Sequence, residues 1–152
     1  MKKSVLIYLI LILIFSPCYS QQTTESMKKI ISTQNAPPPI GPYSQAVKAG
    51  NMIFVSGQIA INPETSQLIN TDIKAEAAQV MKNIKAILNE AKAEFSDVVK
   101  TIIYLKDMND FAVVNEVYGS FFEKNFPARE TVQVSRLPKD ASVEISVVAI
   151  VE

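Results

Sequence analysis

The stretch IKAEAAQVMKNIKAILNEAKAEFSDVVKTIIYL, residues 73–105, decides the fold class. Ile73, Ala77, Val80, Ile84, Ile87 and Ala91 recur at spacings of 4, 3, 4, 3 and 4. That is one apolar stripe along a helix of about five turns. Thr71 or Asp72 stands where an N-cap belongs. A few residues further on, VVKTIIYL (98–105) is dense in β-branched side chains and predicts a buried strand. A long amphipathic helix feeding a buried strand belongs to a helix-on-sheet architecture.

Towards the N-terminus, Lys29-Ile30-Ile31-Ser32 reads as a short edge strand. Residues 35–42 carry four prolines, which remove donors and fix φ, so this segment is an ordered, extended loop. The β-prone runs 43–49 and 52–58 flank Gly50-Asn51 and predict a hairpin, and Asn62-Pro63-Glu64-Thr65 predicts a turn. Towards the C-terminus, Asn109 or Asp110 is placed to cap a second helix, with Phe111, Val114, Tyr118 and Phe121 inward and Phe126-Pro127 at its end. Two last strands, 131–135 and 143–151, are joined through Leu137-Pro138-Lys139-Asp140 and are expected to pair as a hairpin. The order is βββαβαββ, an α+β chain with a six-stranded sheet and two helices on one face. No third helix covers the other face, which points to assembly through the sheet with closed symmetry.

The chain has 152 residues, enough for one domain, and its 48% apolar content fills a core. Fifteen basic residues balance 15 acidic ones, and there is no His. That excludes Ser-His-Asp and Cys-His triads, His-based ribonuclease chemistry and His-ligated zinc. A single Cys excludes an intramolecular disulfide and a CxxC site. Any chemistry must run on Arg, Lys, carboxylates, hydroxyls and backbone groups.

Residues 1–20 read as a secretory signal peptide: Lys2-Lys3, an apolar run from Val5 to Phe15, then Ser16-Pro17-Cys18-Tyr19-Ser20. Cleavage after Ser20 would export the protein and remove Cys18, Lys2 and Lys3; the alternatives are an uncleaved anchor, since the uncharged stretch continues to Thr24, and a lipoprotein site at Cys18, which Pro17 fits poorly. The mature chain then carries 13 basic and 15 acidic residues, a net charge of −2. Its scattered lysines form no basic stripe, so no nucleic-acid partner is expected, nor stable membrane association once the signal is removed. Residues 21–28 form a flexible lead-in, and 29–152 form the folded domain.

Arg129 opens a strand, and Glu144 sits in VEISVVAI (143–150), an otherwise apolar strand that disfavours Glu. In a hairpin the two could approach near the strand ends. One reading is a solvated cross-strand salt bridge, worth little. The other is an Arg fork clamping a substrate carboxylate while Glu manages protons. Tyr43, Ser56 and Asn115 are weak signals singly, and Gly57 marks a bulge or a close backbone approach.

The blocks GPYSQAV (41–47), NMIFVSGQI (51–59), VKT (99–101), LKDMNDF (105–111), FPAR (126–129) and LPKDASVEI (137–145) resemble, in order, the RidA/YjgF family of enamine/imine deaminases. The resemblance runs from about residue 29 to 151. It implies a chorismate-mutase-like α+β fold, a homotrimer with three intersubunit clefts, and hydrolysis of 2-aminoacrylate or 2-aminocrotonate, through their imines, to 2-oxo acids and ammonia. It implies no cofactor and no metal. Carried over by position, Arg129 would bind the substrate carboxylate and Glu144 would orient or activate water. Tyr43, Ser56 and Asn115 would line the cleft, and Thr131 would contribute mainly backbone groups. Thr131 stands where many relatives have Cys, Glu130 replaces a usually small residue, and the segment 122–126 is short. The competing readings are a non-catalytic trimer that binds small carboxylates or shields clients, and a ribonuclease. The net negative charge and absent His speak against the latter.

Overall fold

The computed structural model describes residues 28–152. The signal-peptide expectation and residues 21–27 of the lead-in lie outside the described residues.

Strand β1 (Lys28–Ile31) is followed by β2 (Ala46–Ala49), β3 (Met52–Gln58), helix α1 (Ile73–Glu90), β4 (Val98–Leu105), α2 (Phe111–Gly119), β5 (Ala128–Gln133) and β6 (Val143–Ile150). This is the βββαβαββ order read from the sequence, with residue 28 already in β1 rather than in a lead-in. The hairpin forms around Gly50, whose φ of 61° suits glycine. Its first strand begins at Ala46, so Tyr43 lies in the preceding loop rather than in the strand.

Helix α1 starts at Asp72, whose side chain accepts from the Ala75 amide at 2.8 Å. Its stripe is buried as the spacing requires: Ala77, Val80, Ile84 and Ile87 are all fully enclosed. The buried Asn83 extends the same face, its Nδ2 donating to the carbonyls of Ile59 (3.1 Å) and Ile61 (2.9 Å). Helix α2 is shorter than expected and ends at Gly119, well before Phe126. Its entry is not capped by the side chain of Asn109 or Asp110. Asp107 accepts from the Asn109 amide and starts a single 3-10 turn that runs into the helix. Val114, Val117 and Tyr118 face inward, whereas Phe111 is exposed at the helix start.

The sheet order is β1-β2-β3-β6-β4-β5, antiparallel throughout except for the parallel β4–β5 pair. This corrects one expectation: β5 and β6 do not form a hairpin, because β4 lies between them. The reason is visible in the strands. VEISVVAI has apolar groups on both faces and takes a central place, whereas ARETVQ is polar and takes an edge. Strand β5 therefore reaches β4 by the parallel β4-α2-β5 crossover.

Both helices cover the face carrying Ile53, Val55, Thr101, Ile103, Leu105, Val143, Ile145 and Val147. The opposite face presents Ile30, Phe54, Val132 and Ile150, exposed by 42–51%. Nothing in the described chain covers it. Among the described residues no helix is long and apolar enough to cross a membrane.

Candidate functional site

Register fixes which face each candidate occupies. Arg129 is the parallel partner of Thr101, and Thr131 that of Ile103, so both lie on the helix-covered face. Glu144 is the partner of Tyr104, three positions along β4 from Thr101, and lies on the opposite face. Within one chain Arg129 and Glu144 stand on opposite sides of the sheet. No ion pair joins them among the described residues, and the cross-strand salt bridge does not exist.

On the helix face, α2 builds a seat for the guanidinium. Arg129 Nη1 donates to Asn115 Oδ1 at 2.7 Å. Its carbon lies 5.0 Å from the Tyr118 ring centre and 5.8 Å from that of Phe111, within cation–π range. Tyr118 is itself fixed by a 3.1 Å hydrogen bond between its hydroxyl and Thr101 Oγ1. Burial pushes the Tyr118 phenol up, against the Thr101 bond and the Arg129 charge, so it stays protonated. Asn115, Tyr118, Gly119, Phe126, Pro127 and Arg129 line an open cavity of about 400 Å³. Among the described residues no carboxylate pairs with Arg129. Glu130 points to the other face, as alternation predicts, and pairs with Lys100 at 3.5 Å. Among the described residues Thr131 Oγ1 is buried without a hydrogen-bond partner, in the strand at the edge of the sheet.

On the other face, the β3–β6 register slips by one residue between Val55 and Gln58. The resulting bulge contains Ser56 and Gly57. The Glu144 side chain lies over Gly57, so close that a Cβ there would collide with the carboxylate. Both alternatives left open for Gly57, bulge and close approach, hold at once. Glu144 is half-buried and has no hydrogen-bond or ion-pair partner among the described residues. Burial alone raises its pKa above the ordinary glutamate value. Ser56 Oγ donates to the Ser44 carbonyl at 2.7 Å, tying the bulge to the loop that carries Tyr43. That loop is organised by the buried Gln45, whose amide nitrogen donates to the carbonyls of Thr33, Ala36 and Pro37. Its oxygen accepts from the Thr33 amide. Tyr43 is 46% exposed, and its hydroxyl accepts from the Ile40 amide at 3.1 Å.

The candidate residues thus fall into two groups: Arg129, Asn115 and Thr131 on the helix-covered face, and Glu144 and Ser56 on the other, with Tyr43 in the loop that Ser56 ties down. Sequence reading assigned Tyr118 and Phe111 only to the core; their place beside Arg129 follows from helical spacing around Asn115, a signal visible only once Arg129 is known to face α2. A larger cavity, about 680 Å³, lies between the end of α1 and residues 121–125, and contains none of these groups. Among the described residues no three His, Cys, Asp or Glu side chains converge as metal ligands would.

A family model described as endoribonuclease L-PSP matches residues 33–151. The chain belongs to this family, the RidA/YjgF family of the sequence resemblance. Within the family it is 56% identical over 123 residues to a RutC family protein of Pyrococcus horikoshii, covering 81% of this chain and 98% of the relative. It is 49% identical to the 2-iminobutanoate/2-iminopropanoate deaminase of Escherichia coli, with 82% and 98% covered. The crystal structure of Escherichia coli TdcF with bound serine superposes with a TM-score of 0.79 at 43% identity, covering 82% of this chain and 99% of that one. RidA-family proteins share the six-stranded mixed sheet with two helices found here.

Proposed function

We propose that the protein hydrolyses 2-imino acids, the tautomers of 2-aminoacrylate and 2-aminocrotonate, to 2-oxo acids and ammonia. The observation that carries this reading is Arg129: a cation without an acidic partner among the described residues, held by Asn115 and two rings at the wall of an open cavity. A fixed guanidinium binds a carboxylate through two parallel bonds, which suits an imino acid. The deaminase name of the Escherichia coli relative supports the same substrate class.

Glu144 supplies the proton traffic. Water adds to the electrophilic imine carbon while Glu144 takes its proton. The proton passes to nitrogen, and the carbinolamine collapses to the 2-oxo acid as ammonia leaves. Most of the rate gain comes from holding acid, water and carboxylate together.

One chain cannot deliver Arg129 and Glu144 to one substrate, since they lie across the sheet. We therefore propose a homotrimer in which the apolar outer face packs between subunits. Each cleft then takes Arg129, Asn115 and Thr131 from one chain and Glu144, Ser56 and Tyr43 from its neighbour. Light scattering on the mature protein should give about three times the chain mass, and a stable monomer would remove the cleft. We also propose export, on the strength of Lys2-Lys3 and the apolar run to Phe15. Mass spectrometry should then find a mature start near Gln21.

The decisive assay times 2-oxobutanoate release while threonine dehydratase generates the imine. The reading requires faster release in the presence of the protein. Tight binding of small carboxylates with no acceleration would make it a binding module.

A further inference from the structure

Glu76 is a carboxylate that the reaction above does not use. It sits in the first turn of α1 and is 2% exposed. Burying a carboxylate is costly unless it is hydrogen-bonded. Here Oε1 accepts from the backbone amide of Ser142 at 2.6 Å, across 66 positions of sequence. The amides at the start of the helix favour a negative charge at that place. The Ser142 carbonyl in turn accepts from the Lys106 amide at 2.9 Å. The backbone of Ser142 is thus held by α1 on one side and by the end of β4 on the other.

What precedes Ser142 is a strained loop. Lys139 and Asp140 have φ of 56° and 58°, a region costly for side-chain-bearing residues. Successive left-handed residues persist only where their surroundings fix them. The loop is anchored at Leu137 and Ala141, both buried against Ile59 and Ile61. Arg136 grips both carboxylate oxygens of Asp140, at 2.8 and 3.0 Å, but that pair is exposed and weak. The part-buried Glu76–Ser142 bond holds the residue just before β6 from the helix side, and Glu144 follows two residues later.

We infer that Glu76 is a positioning residue for Glu144, fixing through the Ser142 amide where β6 begins and hence where the Glu144 carboxylate stands over Gly57. The Glu144 carboxylate has no hydrogen bond among the described residues, so the Glu144 backbone and the Gly57 surface determine its place. The kinetic consequence rests on the imine-hydrolysis reading; the geometric one does not.

The test compares Glu76→Gln, which keeps an acceptor of the same size, with Glu76→Leu, which removes it. In the coupled assay Glu76→Gln should keep kcat within about threefold. Glu76→Leu should lower kcat by about 10- to 100-fold with KM nearly constant, the penalty for a misplaced reacting group. Independently of turnover, carbon-13 NMR of the Glu144 carboxyl should show its titration midpoint moving towards the ordinary glutamate value in Glu76→Leu and staying in Glu76→Gln. An unchanged midpoint in folded Glu76→Leu overturns the inference even if the wild type proves inactive on imines. If Glu76→Leu does not fold, Glu76→Asp, which withdraws the acceptor by one methylene, replaces it with the same expectations. Failure of both to fold would make Glu76 a structural residue only and would equally overturn the role.

Discussion

Replacing Gly57 by Ala should separate folding from function. Gly57 does not have the positive φ that would make Ala strained. The added Cβ would overlap the Glu144 carboxylate oxygen and stand 2.8 Å from its Cδ. Contact distances between carbons begin near 3.5 Å, so the carboxylate must swing aside by on the order of 1 Å or change rotamer. That costs about 0.5–1.5 kcal/mol. Against it, Ala restricts the unfolded chain and returns about 0.4–1 kcal/mol. The two nearly cancel, so the melting temperature should stay within about 4 °C of wild type. Activity should not survive so well: displacing a reacting group by about 1 Å costs on the order of 100-fold in kcat. Thermal melting by circular dichroism and the coupled 2-oxobutanoate assay read the two effects separately. In a Glu144→Ala background Gly57→Ala should add almost nothing, because its effect runs through that carboxylate. Wild-type kcat in a folded Gly57→Ala protein would refute the claim that Glu144 acts from its place over the bulge.

Arg129→Ala should abolish imino-acid turnover, a loss of about 2–4 kcal/mol or roughly 30- to 1000-fold in kcat/KM, and Arg129→Lys should recover little because an ammonium lacks the fork. The pH–rate profile should show an acid limb above the ordinary glutamate range, because burial raises Glu144 and the base works only when ionised; Glu144→Gln should lower kcat and remove that limb. A raised carboxyl pKa favours the folded protein below the ordinary glutamate value and loses that favour as pH rises through the folded one. Glu144→Gln should therefore be relatively more stable at neutral pH than at pH 4 in chemical denaturation. Asn83→Ala leaves the Ile59 and Ile61 carbonyls without their buried donor and should cost about 2–4 kcal/mol, read as a fall in denaturation midpoint.

The elements were legible because their signals are local. The α1 stripe, the Asp72 cap, the Gly50 turn and the β-branched β4 each follow from spacing or from a single side chain. The pairing of the last two strands was not, because adjacency in sequence does not dictate adjacency in space. The polar ARETVQ and the apolar VEISVVAI already carried the correction, an edge strand beside a central one. The sequence offers a set of candidate residues, but not their arrangement. Arg129 and Glu144 stand out in sequence as chemical oddities in their strands, but strand alternation cannot say which face each shares with α2 until register is known. The Asp107 turn was missed because Asn109 and Asp110 are equally good caps by type. The side chain that reaches a free amide is decided by a 3-10 turn that the sequence does not announce.

Placing Arg129 and Glu144 on opposite faces of one sheet has a genetic consequence. In the proposed trimer a chain lacking the guanidinium still lends a sound Glu144 to its neighbour, and a chain lacking the carboxylate still lends a sound Arg129. Two inactive alleles should therefore complement when refolded together. With random assembly from equal amounts, about a quarter of the clefts would draw both groups from intact positions. A single defective allele expressed beside the wild type would likewise poison clefts it only half owns. Heredity of activity would follow the cleft rather than the polypeptide.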